Sequence, residues 1–390
     1  MTGKLAGLIN ERELVAIAQT LARFPAPQTA LMEAEPQVQA FIGDCVVPLL
    51  AQRGLSGKRD AMGNLVIEVG SKSADRSLLL MAYAMTHPAS AMKDPYSGTI
   101  VDTAEGKAIR GRGISEQKGS LAAAIVAMSC AQRMGTWRGS LVFALSSAGE
   151  TGRHDAANMI LDSLPALPAI GVLALGTDNR VSLANKGRID IEIVVRGEAC
   201  HSSSPWLGIN AIDGARIVLD RLAALPLSSQ AHPVLGQATL TATHISSGPN
   251  ATHTVQNEVH LTFDRRILPG QNPAEPFRAI SDACAAIEGP WQIEVRRGAY
   301  MYPCEIAQDG ALLRAIGASR KWLDRPAPEV FYSHAALDAG LLVKRGCDAT
   351  MWGPGRTAQF HSNDEQLLIS ELVRGAEDYL ALIADTVIEH

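Results

Sequence analysis

The chain has 390 residues, 47% of them hydrophobic, so it can bury a core and is long enough for more than one domain. Its formal net charge is −5 with no block of Lys or Arg, which argues against nucleic acid or a membrane surface as a partner. No run reaches the roughly 18 apolar residues of a membrane span. The six cysteines are scattered without a CxxC pair, and the N-terminal 24 residues are typical of an amphipathic helix rather than a signal peptide. These features predict a soluble, cytoplasmic protein.

Short apolar runs alternate with helical patterns between residues 60 and 180. Three of these runs are flanked by turn residues, as buried strands are: 64–69, 77–84 and 140–147. Residues 120–134, between the last two runs, have the composition and length of a helix. The alternation indicates βαβ units. We therefore predict an α/β fold with a mixed, mostly parallel sheet flanked by helices.

The pattern changes at about residue 187. A strand, a helix, two strands, a helix and a strand are predicted in turn at 188–197, 209–225, 238–245, 258–267, 273–287 and 291–297. This is the order of a ferredoxin-like α+β unit. The α/β pattern then resumes and ends in a long helix predicted from Asp364 towards Thr386. The predicted domains are residues 1–186 and 299–390 as two parts of one domain, with residues 187–298 as an inserted domain.

Three residues suited to metal binding follow glycine-rich turns or apolar runs: Glu116, Glu150 and His361. Such local patterns are typical of loops that leave buried strands. Two carboxylates and an imidazole suit Zn²⁺, and nearly as well Mn²⁺ or Fe²⁺. We predict that these three side chains hold one divalent ion, with a protein that binds no metal as the alternative.

Six motifs stand in a characteristic order along nearly the whole chain. They are DPYSG (94–98), GRGISEQKG (111–119), KGRIDIEIVVRG (186–197), HSSSPWLGINAI (201–212), FDRRILPG (263–270) and GPG (353–355). With the order of elements, they resemble the M20 metallopeptidase and amidohydrolase family, which includes acetylornithine deacetylases, succinyl-diaminopimelate desuccinylases, aminoacylases and glutamate carboxypeptidases. The resemblance implies a zinc-peptidase-like catalytic domain, an inserted lid and dimerisation domain, a homodimer, and hydrolysis of amide bonds.

The chain departs from the family pattern at the first of two metals. The family's HxD motif falls on Tyr83-Ala84-Met85, and a later carboxylate falls on Leu175. The family's EE pair, whose former Glu is the general base, falls on Gly149-Glu150. The resemblance therefore implies that the first metal and the base are both lost.

The positions for the second metal keep side chains that can bind it. The bridging Asp of the family falls on Glu116, the latter Glu of the EE pair on Glu150, and the C-terminal His on His361. Glu116 is one methylene longer than the usual Asp, which is tolerable where no second ion is bridged. A degenerate site with at most one metal is what the resemblance implies.

Further positions of the pattern carry polar side chains or a tight turn. The resemblance implies that His201 reaches the partner subunit's site and stabilises the oxyanion, and that Arg266 binds a substrate carboxylate. His253 stands where the family has Asn, and Asp338 and Gly353 match positions that line the pocket. These matches imply a small anionic substrate.

Two residues are candidates to replace the missing base. Tyr83 either fills the abandoned site or presents its phenol as a donor or weak acid. His87, just beyond the broken motif, is either a relocated base or a turn residue. The function predicted from these features is hydrolysis of an amide bond in a small N-acyl or N-carbamoyl amino-acid-like anion. The alternatives are a metal-free enzyme with lyase, lactone- or imide-opening or group-transfer chemistry, and a non-catalytic binding protein.

Overall fold

The computed structural model describes residues 5, 7–71, 76–149, 151–228 and 230–389. These residues form two compact units. The first comprises Met1–Ala184, Cys304–Tyr332 and Leu337–His390, and the second comprises Asn185–Pro303 with Ser333–Ala336. The return of the chain to the second unit at Ser333–Ala336 is not part of the domain borders predicted above.

The first unit contains most of the helices and strands. Its helices are α1 (Glu11–Arg23), α2 (Pro36–Ala40), α3 (Val47–Ala51), α4 (Gly119–Gln132), α5 (Asp155–Ser163), α8 (Ala311–Arg320), α9 (Ala339–Arg345) and α10 (Ile369–Val387). Its strands are β1 (Lys58–Arg59), β2 (Leu65–Gly70), β3 (Ser77–Tyr83), β4 (Thr99–Thr103), β5 (Gly106–Arg110), β6 (Ser140–Ser146), β7 (Ile170–Leu173), β13 (Cys304–Glu305), β15 (Asp348–Met351) and β16 (Gln366–Leu368). Strands β8 (Val181–Asn185) and β14 (Val330–Ser333) end at its border.

The main sheet of this unit has the strand order β1-β2-β6-β3-β7-β15. Strand β3 is buried along its whole length and pairs in parallel with β6 and β7, while β2 runs antiparallel to β6. Strands that are apolar along their whole length must be shielded from solvent on both faces of the sheet, and the helices provide this shielding. The mixed, mostly parallel sheet predicted from the sequence is confirmed. The carboxyl ends of β3 and β6, Tyr83 and Ser146, lie opposite each other at one edge.

The C-terminal helix begins later than predicted. It starts at Ile369 rather than Asp364, because Gln366–Leu368 form strand β16, which pairs with β5. Glu365 is also held outside a helix, because its carboxylate accepts hydrogen bonds from the backbone of residues 113–116. Tertiary contacts therefore override the helical pattern over these first residues.

The second unit is an antiparallel sheet backed by two helices. Its elements are β9 (Gly187–Arg196), α6 (Ala211–Ala223), β10 (Thr239–Gly248), β11 (Glu258–Ile267), α7 (Ala274–Ala285) and β12 (Gln292–Met301). The strand order β10-β11-β9-β12 is that of a ferredoxin-like fold. Residues at alternate positions of β9 and β11 point into a core that helices α6 and α7 cover.

None of the helices in the described ranges combines the length and apolar character needed to cross a bilayer. The six cysteines of the sequence are all free thiols.

Candidate active site

Glu116 and His361, which lie far apart in the sequence, meet in the first unit. Glu116 lies in a one-turn π-helix, Ile114–Lys118, which begins after Gly113 at a φ of 78°. His361 lies in the loop before β16. Its Nε2 is 3.2 Å from Oε2 of Glu116. Single π-turns occur frequently at functional sites, and this one places a carboxylate beside an imidazole.

The backbone of His361 is held in an unusual conformation. Its φ is 58°, in the left-handed region that non-glycine residues rarely occupy. Its side chain is 45% exposed, whereas that of Glu116 is 8% exposed. Strained residues of this kind collect at binding and catalytic sites because the surrounding structure must stabilise them.

A buried carboxylate, Glu365, positions the turn that carries Glu116. It accepts hydrogen bonds from the amide groups of Gly113, Ser115 and Glu116 at 2.8, 3.0 and 3.3 Å. It also accepts one from Nη1 of Arg112 at 3.0 Å, in an ion pair whose side chains are both fully buried. Burial raises the pKa of Glu365, while the Gly113 amide acts in the opposite direction. Glu365 was not predicted from the sequence, because no local pattern shows that Arg112 and Glu365 meet.

His87 lies against His361. The two imidazole rings are stacked, with centroids 4.0 Å apart and an interplanar angle of 19°. Nδ1 of His87 is 2.9 Å from the carbonyl oxygen of Pro88, so it is the protonated nitrogen of the neutral ring. Burial lowers the pKa of His87, and the nearby His361 lowers it further. A neutral imidazole can therefore accept a proton at Nε2 beside Glu116 and His361.

The positions that match the family's first metal do not fit a cation. Tyr83 and Met85 are fully buried, and Leu175 is 3% exposed. The phenol of Tyr83 donates a hydrogen bond to Oδ2 of Asp338 at 2.7 Å. A Cβ atom on Gly149 would lie 2.0 Å from the Tyr83 ring, so the ring occupies the space of a side chain at position 149.

The second metal position is described only in part. Oε2 of Glu116 is buried and accepts no hydrogen bond within the described structure, as suits an atom that coordinates an ion. Its neighbour, His361, supplies a nitrogen ligand of the type that Zn²⁺ prefers. Glu150 lies outside the described residues. Among those that are described, no group of three or more His, Cys, Asp or Glu side chains is arranged to hold an ion. Two of the three predicted ligands, Glu116 and His361, thus lie in contact, and their role as ligands stays a prediction.

Asp338 and Gly353, predicted to line the pocket, are both buried in the first unit. Oδ1 of Asp338 is 2.6 Å from Nδ1 of His154, a residue that was not predicted from the sequence. The backbone of Gly353 exchanges hydrogen bonds with Thr177 at 3.0 Å in each direction. A Cβ atom on Gly353 would lie 2.4 Å from the hydroxyl of Tyr379, so only glycine fits there.

The remaining predicted residues lie in the second unit. The rings of His201 and His253 stack with centroids 6.3 Å apart, and Nδ1 of His201 is 2.8 Å from the hydroxyl of Ser203. The guanidinium of Arg266 forms a bidentate ion pair with Asp264, with Nε to Oδ1 at 2.8 Å and Nη2 to Oδ2 at 2.9 Å. Its Nη1 donates to the carbonyl of His334 at 3.1 Å. The structure thus brings His201 and His253 together and holds Arg266 in a fixed orientation.

Comparisons with known proteins agree with this fold. Residues 183–292 match the peptidase dimerisation domain of the M20 family. The chain is 25% identical over 345 residues to the uncharacterized protein YgeY of Escherichia coli (strain K12), covering 83% of each chain. It is 24% identical over 303 residues to a succinyl-diaminopimelate desuccinylase of Pseudomonas fluorescens, covering 74% of this chain and 76% of that enzyme.

Among solved structures, an M20 family metallo-carboxypeptidase of Sulfolobus solfataricus superposes with a TM-score of 0.73 at 16% identity. The alignment covers 95% of this chain and 98% of that one. The resemblance to the M20 metallopeptidases and amidohydrolases is confirmed, and the chain has their fold with a dimerisation domain.

We predict that the buried Glu365 is essential for stability. Its replacement by Gln leaves the buried guanidinium of Arg112 without a compensating charge, which typically costs about 3–5 kcal/mol. Chemical denaturation of Glu365→Gln should show a loss of this size. The matched control is Asp364→Asn, because Asp364 is 87% exposed and its pair with Arg110 should contribute about 0–1 kcal/mol. Equal losses in both variants would contradict the assignment.

We also predict that Tyr83 and Gly149 depend on each other. A methyl group in Gly149→Ala should displace the Tyr83 ring and destabilise the protein by about 1–3 kcal/mol. Thermal unfolding should show that Tyr83→Ala removes most of this cost when the two changes are combined. Gly317→Ala in α8 is the control, because its Cβ would meet nothing within 4 Å. Additive losses in the double variant would argue against direct contact.

Proposed function

We propose that the protein is a hydrolase that cleaves an amide bond in a small N-acyl or N-carbamoyl amino-acid-like anion, with at most one metal. The observation that carries this proposal is the cluster of Glu116, His361 and His87. It combines a carboxylate whose buried Oε2 accepts no hydrogen bond from the described residues, an imidazole 3.2 Å from that oxygen and a second, neutral imidazole against the first. The desuccinylase of Pseudomonas fluorescens supports amide hydrolysis as the reaction class.

The ion would be held by Glu116 and His361, with Glu150 as the third predicted ligand. When bound, Zn²⁺, or alternatively Mn²⁺ or Fe²⁺, supplies Lewis acidity and lowers the pKa of water towards neutrality. Glu365 fixes the amide groups of the turn that bears Glu116, so this carboxylate is oriented in advance.

His87 replaces the missing general base in this mechanism. Its Nε2 accepts a proton from the attacking water, whose oxygen bonds to the substrate's carbonyl carbon. The C–N bond then breaks, and His87 returns the proton to the leaving nitrogen. The hydrogen bond from Nδ1 to Pro88 keeps the neutral ring in the tautomer that accepts at Nε2.

The roles of the second unit follow from the resemblance. Arg266 would bind the substrate's carboxylate, with Asp264 holding the guanidinium plane. His201 would stabilise the developing oxyanion from the partner subunit, which requires a homodimer through the dimerisation domain. His253 would replace the usual amide contact with an imidazole. The free thiols of the six cysteines support a cytoplasmic location.

We predict about one ion per chain in protein purified without a histidine tag, measured by elemental analysis. Combining Glu116→Gln with His361→Ala should abolish binding, because both changes remove ligands. The chain offers a matched control in Glu258 and His260, another Glu–His contact, at 2.7 Å in the second unit. Glu258→Gln with His260→Ala should keep the ion. Absence of an ion after incubation with Zn²⁺ or Mn²⁺ would favour a metal-free enzyme or a binding protein.

We predict that His87→Gln lowers kcat by about 10²–10⁴-fold, the usual contribution of a general base. Release of free amine from N-acetyl, N-succinyl and N-carbamoyl amino acids would measure this rate. Metal content should be unchanged, because His87 is not a ligand in this mechanism. His260→Gln is the control for loss of an imidazole elsewhere. A His87→Gln enzyme with full activity would exclude His87 as the base.

A further inference from the structure

A buried hydrogen-bond network includes Tyr83, which stands at a position that matches the lost first metal. Asp338 is 1% exposed, and its two carboxylate oxygens have different partners. Oδ2 accepts from the phenol of Tyr83 at 2.7 Å, and Oδ1 lies 2.6 Å from Nδ1 of His154. Because a carboxylate oxygen serves as a hydrogen-bond acceptor, Nδ1 of His154 is assigned as the donor. The backbone amide of Asp338 also donates to the Tyr83 oxygen at 3.2 Å.

The network joins three elements of the first unit at their ends. Tyr83 is the last residue of β3, His154 directly precedes α5, and Asp338 directly precedes α9. One carboxylate therefore connects a strand end to two helix starts. A divalent ion in a protein site makes the same kind of connection between distant segments through its ligands.

The Tyr83 side chain is restrained at its ring as well as at its hydroxyl. The ring lies so close to Gly149 that a Cβ atom there would be 2.0 Å away. The phenol can therefore not swing towards position 149 without moving the backbone of that loop.

The segment after Tyr83 transmits this restraint to His87. Ala84 donates its amide hydrogen bond to the carbonyl of Ser146 at 2.9 Å, and Thr86 donates to that of Ala26 at 2.8 Å. Residues 84–86 are fully buried. His87 follows them directly, and its ring is stacked on His361.

We infer that Tyr83, Asp338 and His154 form a positioning network that takes over the structural role of the lost first metal and holds His87 in place. This inference rests on the proposed function, because His87 acts as the base there. The energetic reason is that removing one partner leaves a buried polar group unsatisfied, so the neighbouring segments must shift. Displacing a catalytic group by about 1 Å can cost about 10²-fold in rate.

The test compares Tyr83→Phe, His154→Gln and Asp338→Asn by NMR of histidine-labelled protein. The ring signals of His87 are assigned by their loss in His87→Gln. All three variants should shift these signals, and kcat should fall by about tenfold or more with KM changed less than about threefold. Metal content should stay the same.

The matched control is Asp378→Asn. Asp378, in helix α10, is another buried carboxylate and is 1% exposed. It accepts a hydrogen bond from Nη1 of Arg325 at 3.0 Å. This variant should lose stability without moving the His87 signals. Unchanged His87 signals in Tyr83→Phe and His154→Gln would overturn the network's positioning role, even if both variants melt at lower temperature.

The NMR measurement needs no substrate, so it separates the two proposals. If the wild-type protein releases no amine from any substrate tested, the proposed function fails. The His87 signals then still decide whether the network positions that ring. If turnover is robust but His87 signals and kcat are unaffected by the three variants, the proposed function stands and the network inference fails.

Discussion

The carboxylate of Glu365 is the constraint on which the candidate site depends. Three backbone amides of the turn at residues 113–116 and the guanidinium of Arg112 donate hydrogen bonds to it. Burial without these partners would be prohibitive for a charged group. The turn therefore has one stable arrangement, in which the side chain of Glu116 lies beside His361. The Glu365 carboxylate therefore positions the half of the pair that carries Glu116.

The departures from the family pattern are coupled by packing rather than independent. A tyrosine in place of a small metal-binding imidazole needs more room at the end of β3. Glycine at position 149 supplies this room, and Asp338 supplies the acceptor that the buried phenol requires. A side chain at position 149 is incompatible with the Tyr83 ring as the structure places it. The departures that the resemblance implies at positions 83 and 149 can thus be understood as one rearrangement.

The fold could be predicted from the sequence because strands and helices differ in the periodicity of their apolar residues. The buried strands at 77–84 and 140–147 and the ferredoxin-like order of the insert are local patterns, and the structure confirms them. The start of α10 was predicted wrongly because pairing of β16 with β5 is a long-range contact.

Site residues were accessible from the sequence only where a motif marked them. Glu116 and His361 were selected from motifs, and the structure places them in contact. Glu365 and His154 were missed, since their significance comes from partners more than 180 residues away in the chain. Neither periodicity nor composition encodes such pairs. The stacking of His87 on His361 could also not be predicted from the sequence, although His87 itself was named as a candidate base.

Charge balance at Glu116 is the strongest support for the proposed cation site. Arg112 is paired with Glu365, so its charge does not compensate that of Glu116. A buried carboxylate must be paired or must coordinate a metal. Within the described structure, His361 is its ion-pair partner, and this imidazole either carries a proton or binds an ion.

The neutral ring of His87 stacked on His361 adds no positive charge that would repel an incoming ion. If the site had no remaining role, an apolar side chain at position 116 would avoid the free-energy cost of burying a carboxylate. Met85 and Leu175 are apolar side chains of this kind. The retention of a buried acid opposite an imidazole therefore supports the proposed site, in which both would bind one cation.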